Sequence, residues 1–450
     1  MDELREIAAG SGLAEALPAA DGSLADRIAL KTARAGVVGL GYVGLPLAVE
    51  IGAAGYRVVG VDKSEDKIAQ LRRGQCYIPD VDARVFEQLL ERRRLEAAVD
   101  DAALGDCDVV SICVPTPLRK TKDPDLSYVM DAARVVAERL RPGALVILES
   151  TTYPGTTEEQ VLPLFESGGR RVGRDFHLCF SPERVDPGNS RFKTRDIPKV
   201  IGGVTERCTE LGQAFYSRVV DRVVPVSSTR VAEMVKLLEN TFRMINIGLV
   251  NEMAIMCDKM GINVWEVIAA AATKPFGFMP FYPGPGLGGH CIPVDPHYLS
   301  WKTRQVGYNP RFIELASEIN AQMPQYVYRK IQDALNSAGK ALKGSRIHLL
   351  GVAYKKDVGD VRESPALDLL ALLEQNGASV AFTDPYVPKI RGSAGVLRSQ
   401  PLEQAYDADC VAILADHSAI DYAAVVERAA LIFDARNATA GINRPNIVRL

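Results

Sequence analysis

The segment GVVGLGYVGLPLAVEIGAAGYRVVGVD, residues 36–62, constrains the fold of this chain more than any other. Gly39, Gly41 and Gly44 have the spacing GxGxxG, directly after an apolar strand pattern and at the start of an apolar helix pattern. Glycines at these positions allow a tight turn, a close approach of the backbone to a pyrophosphate and close packing of the helix on the strand. The segment therefore predicts the first β-α-β unit of a dinucleotide-binding domain.

An acidic residue at the end of the second strand of this unit bears on the choice of cofactor. Asp62 lies eighteen residues after Gly44, where a carboxylate can accept hydrogen bonds from a ribose diol and repel a 2′-phosphate. We expect NAD rather than NADP, although Lys63 follows directly; the alternative interpretation is an ordinary glycine turn of an α/β domain. The residues expected to bind the cofactor are Gly39, Gly41, Tyr42, Val43, Gly44, Asp62 and Thr116.

The hydrophobic pattern divides the chain into parts. Short apolar runs alternate with helix-length segments from Ala35 to about residue 225 and again from about Ser345, which predicts parallel strands covered by helices. Between about residues 228 and 272 the strand pattern is absent, and the sequence predicts one long helix that ends at Gly261 and a second that begins near Asn263. The fold class is therefore α/β with a helical middle. The predicted parts are an N-terminal extension (1–33), an α/β domain (34–225), a helical domain (226–325) and a second α/β domain (326–450).

Composition and charge argue against several kinds of partner. The chain of 450 residues is 47% hydrophobic with a formal net charge of -3, so it offers no basic field for nucleic acid or an anionic membrane. It has no apolar run long enough to cross a bilayer, and its acidic start MDELREIAAG lacks the features of a secretory signal, so we expect a cytoplasmic protein. Eight cysteines without a CxxC pair and five histidines without HExxH spacing predict no metal site.

One cysteine has unusual surroundings, in the stretch PGPGLGGHCIPVDP at residues 283–296. Free cysteines are usually small core residues, and we interpret the other seven in that way. Around Cys291, four glycines and four prolines predict a loop, and Asp295 would share a helical face with it if a helix begins there. A loop thiol in a dinucleotide enzyme suggests covalent catalysis on a carbonyl, with the carboxylate ordering water or accepting a proton.

Further polar groups fall where they could serve such a reaction. Lys236 and Asn240 stand four apart on the long helix, where they could stabilise an oxyanion and hold a hydroxyl, or else form a solvated helix edge. Thr116 in VPTP and Glu183 in FSPERVDPG each follow a predicted strand, at the edge where open α/β sheets bind ligands.

The second α/β domain contains a cationic loop, GVAYKKDVGDVRESP at residues 351–365, which follows a strand but lacks GxGxxG. Its Lys355, Lys356 and Arg362 could contact phosphates as charged side chains. The alternative is a solvated charge cluster.

Three segments resemble the signatures of the nucleotide-sugar 6-dehydrogenases, the UDP-glucose/GDP-mannose dehydrogenase family. GVVGLGYVGLPLA is similar to the family's NAD motif, GPGLGGHCIPVDP to its catalytic cysteine loop, and GVAYKKDVGDVRESPA to the signature of its C-terminal domain. The resemblance extends from about residue 34 to the C-terminus. It implies an N-terminal Rossmann domain that binds NAD, a central helical dimerisation domain, a C-terminal Rossmann-like domain that binds a UDP-sugar, and a homodimer or higher homo-oligomer.

The resemblance also implies a role for each matching residue. Cys291 matches the nucleophile and Asp295 its supporting carboxylate. The other catalytic residues implied are Lys236 and Asn240 near the reacting carbon, Thr116 at a catalytic water and Glu183 in the same site. The residues implied to bind the substrate are Glu183, Arg184, Lys236, Asn240, Gly288, His290, Lys355 and Arg362.

The family reaction converts the C6 alcohol of a UDP-sugar to a carboxylate in two hydride transfers to NAD, through a thiohemiacetal and a thioester on the cysteine. GGHCIPVD and SPERVDPGN are closer to the N-acetylhexosamine branch than to the UDP-glucose branch, which usually reads GGSCFPKD and PEFL. We therefore expect UDP-N-acetylglucosamine, with its galacto and manno epimers and UDP-glucose as alternatives. Other hypotheses are a β-hydroxyacid dehydrogenase, which has the same lysine and asparagine spacing, and a catalytically silent sensor of NAD or nucleotide sugars.

Overall fold

The computed structural model describes residues 22–78, 80–119, 123–186, 192–393 and 395–450. Most of the predicted N-terminal extension, residues 1–21, lies outside the described residues. The described part forms helix α1, Leu24–Ala29, and its Leu24 and Ile28 are buried in the core of the first α/β unit. This segment is therefore structurally part of that unit.

The first sheet has eight strands: Arg34–Val38 (β1), Arg57–Val61 (β2), Leu95–Ala98 (β3), Val109–Ile112 (β4), Leu145–Leu148 (β5), His177–Phe180 (β6), Lys199–Gly203 (β7) and Val223–Pro225 (β8). Their order is β3-β2-β1-β4-β5-β6-β7-β8, and all neighbours are parallel except β6 with β7. The helices that cover it are Gly44–Ala53 (α2), Glu65–Arg72 (α3), Ala83–Glu91 (α4), Ser127–Arg139 (α5), Leu162–Glu166 (α6) and Glu206–Tyr216 (α7). Chain order reverses between β1 and β4, so their carboxyl ends flank the crevice at which such sheets bind ligands.

The helical middle begins with α8, Thr229–Met260. Ser228 caps it, because its hydroxyl accepts a backbone hydrogen bond from the first turn, and Gly261 ends it with a φ of 67°. The second helix, α9, is Val264–Ala271 and is capped by Asn263. Both helices predicted for this part of the chain are confirmed.

Two further helices, α10 (Asp295–Gln305) and α11 (Arg311–Ser337), pack on α8. A Cβ at Gly248 of α8 would lie 3.2 Å from Ala316 of α11, so the helices approach closely at this point. Helix α11 passes through residue 325 without a break, and its second half belongs to the core of the C-terminal unit. The predicted boundary between residues 325 and 326 thus falls inside a helix.

Over its described residues, the C-terminal unit has seven strands: Arg346–Leu350 (β9), Ser379–Thr383 (β10), Lys389–Gly392 (β11), Gly395–Arg398 (β12), Cys410–Ile413 (β13), Ile432–Asp434 (β14) and Ile447–Arg449 (β15). Five of them form the parallel sheet β10-β9-β13-β14-β15, and β11 pairs with β12 as an antiparallel hairpin. Helices α12 (Pro365–Gln375) and α13 (Tyr422–Arg428) complete the unit. Two α/β units therefore flank a helical middle, as the sequence predicts. Within the described ranges, no helix combines the length and apolar character needed to span a bilayer.

Candidate active site

A cavity of about 940 Å³ lies where the three parts of the chain meet. Its walls come from the glycine-rich loop before α2, the loops after β4, β5 and β6, the inner face of α8, the cysteine loop (residues 283–294), helix α11 and the segment before α12. The residues predicted from the sequence that line it are Gly39, Gly41, Tyr42, Val43, Asp62, Thr116, Glu183, Lys236, His290, Cys291, Asp295 and Arg362. The structure thus brings most of the predicted site into one cavity.

The glycine-rich loop leaves a cradle at the N-terminus of α2. A Cβ at Gly44 would lie 1.8 Å from the carbonyl oxygen of Gly39, and Gly39 has a φ of 89°, so the backbone excludes side chains at both positions. A Cβ at Gly41, by contrast, would meet no described atom within 4 Å and would project into the cradle. Val43 provides no side-chain cap to α2, which leaves the positive end of the helix dipole facing this space. These residues fit the pyrophosphate of NAD.

Asp62 holds the glycine-rich loop against the end of β2. Its carboxylate accepts a hydrogen bond from the Leu40 N–H at 2.9 Å and lies 3.3 Å from Nζ of Lys67. It also lines the cavity, where a remaining lone pair can meet a ribose hydroxyl. Lys63, which follows Asp62 and could favour the 2′-phosphate of NADP, is exposed, and its Nζ lies 3.9 Å from the carboxylate of Asp131.

The cysteine loop is pressed against the C-terminal unit. A Cβ at Gly288 would lie 2.5 Å from the Cβ of Tyr354, and one at Gly289 would lie 2.9 Å from the ring of the same tyrosine. The Gly289 N–H donates a hydrogen bond to the Arg362 carbonyl at 3.0 Å. The glycines before Cys291 therefore permit a close contact within the protein.

Burial dominates the chemistry of the Cys291 thiol. It raises the pKa of Cys291 to about 11, Asp295 adds to this effect, and Lys236 opposes it. The sulfur lies 3.5 Å from Nε2 of His290, whose own pKa burial lowers to about 4. Near neutral pH a neutral thiol therefore lies beside a neutral imidazole, and the thiol proton has to leave during the reaction.

Asp295 begins α10 and faces the inner side of α8. Nδ2 of Asn240 donates a hydrogen bond to the Asp295 carboxylate at 2.6 Å, and the Asp295 N–H donates one to the Cys291 carbonyl at 2.8 Å. Burial raises the pKa of Asp295 to about 6, against the opposing effects of Lys236 and Asn240. Lys236 and Asn240 are 8% and 4% exposed, so the alternative of a solvated helix edge is wrong.

Glu183 follows β6 and is buried at the cavity wall. Its carboxylate accepts hydrogen bonds from the N–H groups of Arg184 and Val185, both at 2.8 Å, and lies 3.5 Å from Nζ of Lys199. Burial alone would raise the pKa of Glu183, but Lys199, the two N–H donors and Lys236 together lower it. The group is an ionised carboxylate near neutral pH.

Two cations predicted to bind the substrate make polar contacts within the protein. The Arg184 guanidinium donates to the carboxylate of Glu239 on α8 and to the Pro198 carbonyl, both at 2.6 Å. Nζ of Lys355 lies 2.8 Å from the carboxylate of Asp186. The predicted site residues outside the cavity lining, over the residues that the structure describes, are Gly44, Arg184, Asn240, Gly288 and Lys355.

Arg362 and Thr116 approach the cavity from different parts of the chain. Arg362 pairs with Asp360 at 2.6 Å and lies 5.5 Å over the ring of Tyr42, so it joins the C-terminal unit to the glycine-rich loop. The Thr116 carbonyl accepts a hydrogen bond from the hydroxyl of Tyr298 on α10. Both contacts hold parts of the chain together around the cavity.

Sequence reasoning missed charged residues at the base of the cavity. Glu149 follows β5, lines the cavity and accepts hydrogen bonds from Nζ of Lys199 at 2.7 Å and from the Tyr216 hydroxyl. A signal for Glu149 was present, because VILES ends at the same sheet edge as VPTP and FSPE. Lys199 gave no signal, because a charged residue at the start of a strand is typical of a surface position.

The site defines a class of enzyme. A dinucleotide cradle, a thiol beside a neutral imidazole, a buried aspartate bonded to an asparagine, and a lysine share one region of the molecule. Such a set suits a dehydrogenase that uses NAD and forms a covalent adduct on sulfur. Over the described ranges, no cluster of His, Cys, Asp or Glu is arranged to hold a metal ion.

Comparison with known proteins identifies the family. Residues 33–220, 230–322 and 348–441 match, in that order, the NAD binding domain, the central domain and the UDP binding domain of the UDP-glucose/GDP-mannose dehydrogenase family. The chain belongs to this family and is an NAD-dependent nucleotide-sugar dehydrogenase. The predictions of NAD as cofactor and of this family are confirmed, and the β-hydroxyacid dehydrogenase hypothesis is wrong.

Similar proteins carry the names of different N-acetylhexosamines. UDP-N-acetyl-D-glucosamine 6-dehydrogenase from Pseudomonas aeruginosa is 39% identical over 360 residues, 80% of this chain and 84% of the relative. UDP-N-acetyl-D-mannosamine dehydrogenase from Pyrococcus horikoshii is 39% identical over 388 residues, 85% of this chain and 89% of the relative. A solved structure of UDP-D-ManNAc dehydrogenase from Pyrococcus horikoshii has a TM-score of 0.84 at 36% identity, over 92% of this chain and 98% of that one.

Proposed function

We propose that this enzyme oxidises the C6 hydroxymethyl group of a UDP-N-acetylhexosamine to a carboxylate through a covalent adduct on Cys291, with UDP-N-acetyl-D-glucosamine as the first candidate substrate. The observation that carries the proposal is that Cys291, Asp295, Lys236 and Glu183 line the same cavity as the dinucleotide cradle. The loop sequence GGHCIPVD and the names of the relatives support an acetamido sugar. The alternatives are the manno and galacto epimers and UDP-glucose.

The first oxidation removes a proton and a hydride from the C6 alcohol. NAD, when bound, accepts the hydride lost in each of the two oxidations. Asp295, with a pKa of about 6, is ionised near neutral pH and accepts the hydroxyl proton, while Asn240 orients its carboxylate. Lys236 stabilises the negative charge that develops on the C6 oxygen.

The second half of the reaction takes place on sulfur. The Cys291 sulfur bonds to the aldehyde carbon, and its proton passes through His290 to the former carbonyl oxygen, which gives a thiohemiacetal. Asp295, after it has released its first proton to solvent, accepts the hydroxyl proton of the thiohemiacetal, and loss of a second hydride from C6 leaves a thioester. Water then adds to the thioester carbon, Glu183 accepts a proton from that water, and the carbon–sulfur bond breaks to release the carboxylate and the thiol.

The proposal is tested by counting NADH formed per sugar consumed. The four UDP-sugars are offered separately to the wild type, to Cys291→Ser and to Cys76→Ser, a control at a half-buried cysteine in the loop after α3. We expect about two NADH per acetamido sugar in the wild type and the control, and loss of the second oxidation in Cys291→Ser. A clear preference for UDP-glucose would refute the proposal that the substrate is an acetamido sugar. Two NADH per sugar from Cys291→Ser would refute the proposal of a covalent adduct on Cys291.

We also propose that the enzyme is a homodimer formed through the helical middle. Leu238, Phe242 and Leu249 form an exposed apolar stripe along α8 with exposures of 61%, 45% and 54%. Phe312 and Leu315 of the adjacent helix α11 extend this apolar surface. A helix stripe of this kind is self-complementary across a two-fold axis, which supports a second copy of the chain as the partner.

The dimer is tested by measuring mass in solution. We expect sedimentation or light scattering to give twice the chain mass for the wild type and for Leu30→Asp, a control at an exposed leucine outside the helical middle. Leu238→Asp places a charge in the stripe and should yield monomer. A wild type that stays monomeric at micromolar concentration would contradict the proposal.

A further inference from the structure

Glu183, which accepts the water proton in the reaction steps given above, belongs to a group of buried polar side chains whose other members have no role in those steps. This buried ion cluster consists of Glu149 after β5, Glu183 after β6, Lys199 at the start of β7 and Tyr216 at the end of α7. Nζ of Lys199 lies 2.7 Å from one oxygen of Glu149 and 3.5 Å from an oxygen of Glu183. The Tyr216 hydroxyl donates to the other oxygen of Glu149. The lysine therefore bridges the two carboxylates.

Stability does not account for this cluster. The side chains of Lys199, Glu149 and Glu183 are 6%, 0% and 10% exposed. Buried ion pairs are often no more stabilising than apolar side chains of the same size, because desolvation offsets their attraction. Two carboxylates also share one ammonium group, which leaves the cluster with an excess of negative charge when all three groups are ionised. A role in the reaction would account for the cluster.

The pKa values of the two carboxylates of the cluster are shifted in opposite directions. Burial raises the pKa of Glu149, although Lys199 and the Tyr216 hydroxyl oppose it. Burial also acts to raise the pKa of Glu183, but Lys199, the N–H groups of Val185 and Arg184, and Lys236 together outweigh it and lower the pKa. The ionisable groups that act on Glu183 are Lys199 on β7, Lys236 on α8, Glu149 after β5 and Cys113 after β4.

We propose that Lys199 is a positioning residue for hydrolysis of the thioester, holding Glu183 as an ionised base at the cavity wall while Glu149 and Tyr216 hold Lys199 in place. This inference rests on the proposed function. The base has to be ionised when water attacks, since it takes the water proton as the carbon–oxygen bond forms and the carbon–sulfur bond breaks. The two oxidations that precede the thioester use Asp295 and Cys291, so they do not depend on Lys199.

The informative variant is the double substitution Lys199→Met with Glu149→Gln. The single change at Lys199 would leave Glu149 buried without its cation and could prevent folding, whereas the double variant removes both charges of the closer pair. Lys199→Arg keeps the positive charge and is the conservative control. Thermal melting and NAD binding establish that each variant is folded.

The double variant should complete both oxidations and stall at the thioester. We expect a rapid burst of about two NADH per active site, accumulation of an acyl adduct on Cys291 in the intact mass, and steady turnover lowered about 10- to 100-fold. Turnover should recover as pH rises, because without Lys199 the pKa of Glu183 is higher and the acidic limb of the rate profile moves upward. Lys199→Arg should restore most of the turnover, and adding Cys291→Ser should abolish the adduct.

The possible failures are distinct. A folded double variant that loses turnover without an adduct, or that keeps the wild-type pH profile, would overturn the role of Lys199 and leave the proposed function intact. A wild type that forms no NADH with any of the four UDP-sugars would overturn the proposed function itself, and the role of Lys199 with it.

Discussion

The pH dependence of Cys291 alkylation measures the pKa of this thiol in the cavity. Burial raises the pKa of Cys291 to about 11, against 9.0 for an ordinary cysteine, so at pH 8 the thiolate fraction should be about 100-fold smaller than that of a free thiol. Asp295 is the second cause of the raised pKa and Lys236 acts against it. Asp295→Asn should therefore lower the pKa, and Lys236→Met should raise it further.

The assay follows the rate of iodoacetamide addition to the Cys291 peptide by mass spectrometry between pH 7 and 12, without substrate. Since burial also restricts access to the sulfur, the quantity to compare is the midpoint of the rate profile rather than the absolute rate. We expect a midpoint near 11 for the wild type, shifted downward in Asp295→Asn. A wild-type midpoint at or below 9.0 would mean that burial in the cavity does not raise the pKa of the thiol, and would refute this account.

Two further predictions concern the cradle and the buried carboxylate. Gly44→Ala should lower both the melting temperature and NAD affinity, because its Cβ would lie 1.8 Å from the Gly39 carbonyl oxygen; Gly41→Ala meets no described atom within 4 Å and should weaken NAD binding in calorimetry without changing the melt. Asp295 has a pKa of about 6 in the fold against 3.8 when unfolded, so the native state binds more protons between these values and its stability falls as pH rises. Asp295→Asn lacks this loss, so its unfolding free energy relative to wild type should grow by up to about 3 kcal/mol between pH 4 and 7; a difference independent of pH would contradict the assignment.

The cofactor half of the site was predictable because its geometry is local. Residues 36–62 contain the strand, the turn, the helix and the acid that ends the next strand, and the structure uses each in the expected place. The long helix was equally accessible, since Gly261 both breaks the apolar pattern and takes the left-handed conformation that ends α8. In these cases residues close in sequence carry the whole physical reason.

The substrate half was less predictable because its contacts join distant segments. The same four-residue spacing of Lys236 and Asn240 is compatible with a solvated edge or an inner helix face, and only the packing of α10 against α8 decides between them. The resemblance implies that Arg184 binds the substrate, and the structure adds a contact that the sequence does not indicate, because its guanidinium donates a hydrogen bond to Glu239, fifty-five residues away.

Lys199 marks the limit of sequence reasoning for a physical reason. A buried charge is tolerated only when another charge compensates it, and here the compensating carboxylates, Glu149 and Glu183, follow two other strands. No pattern around PKVIGG carries that information, because the need for compensation arises only after the sheet has formed. The separation of these residues along the chain also matters for their proposed role. Lys199 lies outside the cavity lining, so it can lower the pKa of Glu183 without occupying the space that the substrate needs. For the same reason, the motif FSPERVDPG, which contains Glu183, gives no indication of Lys199.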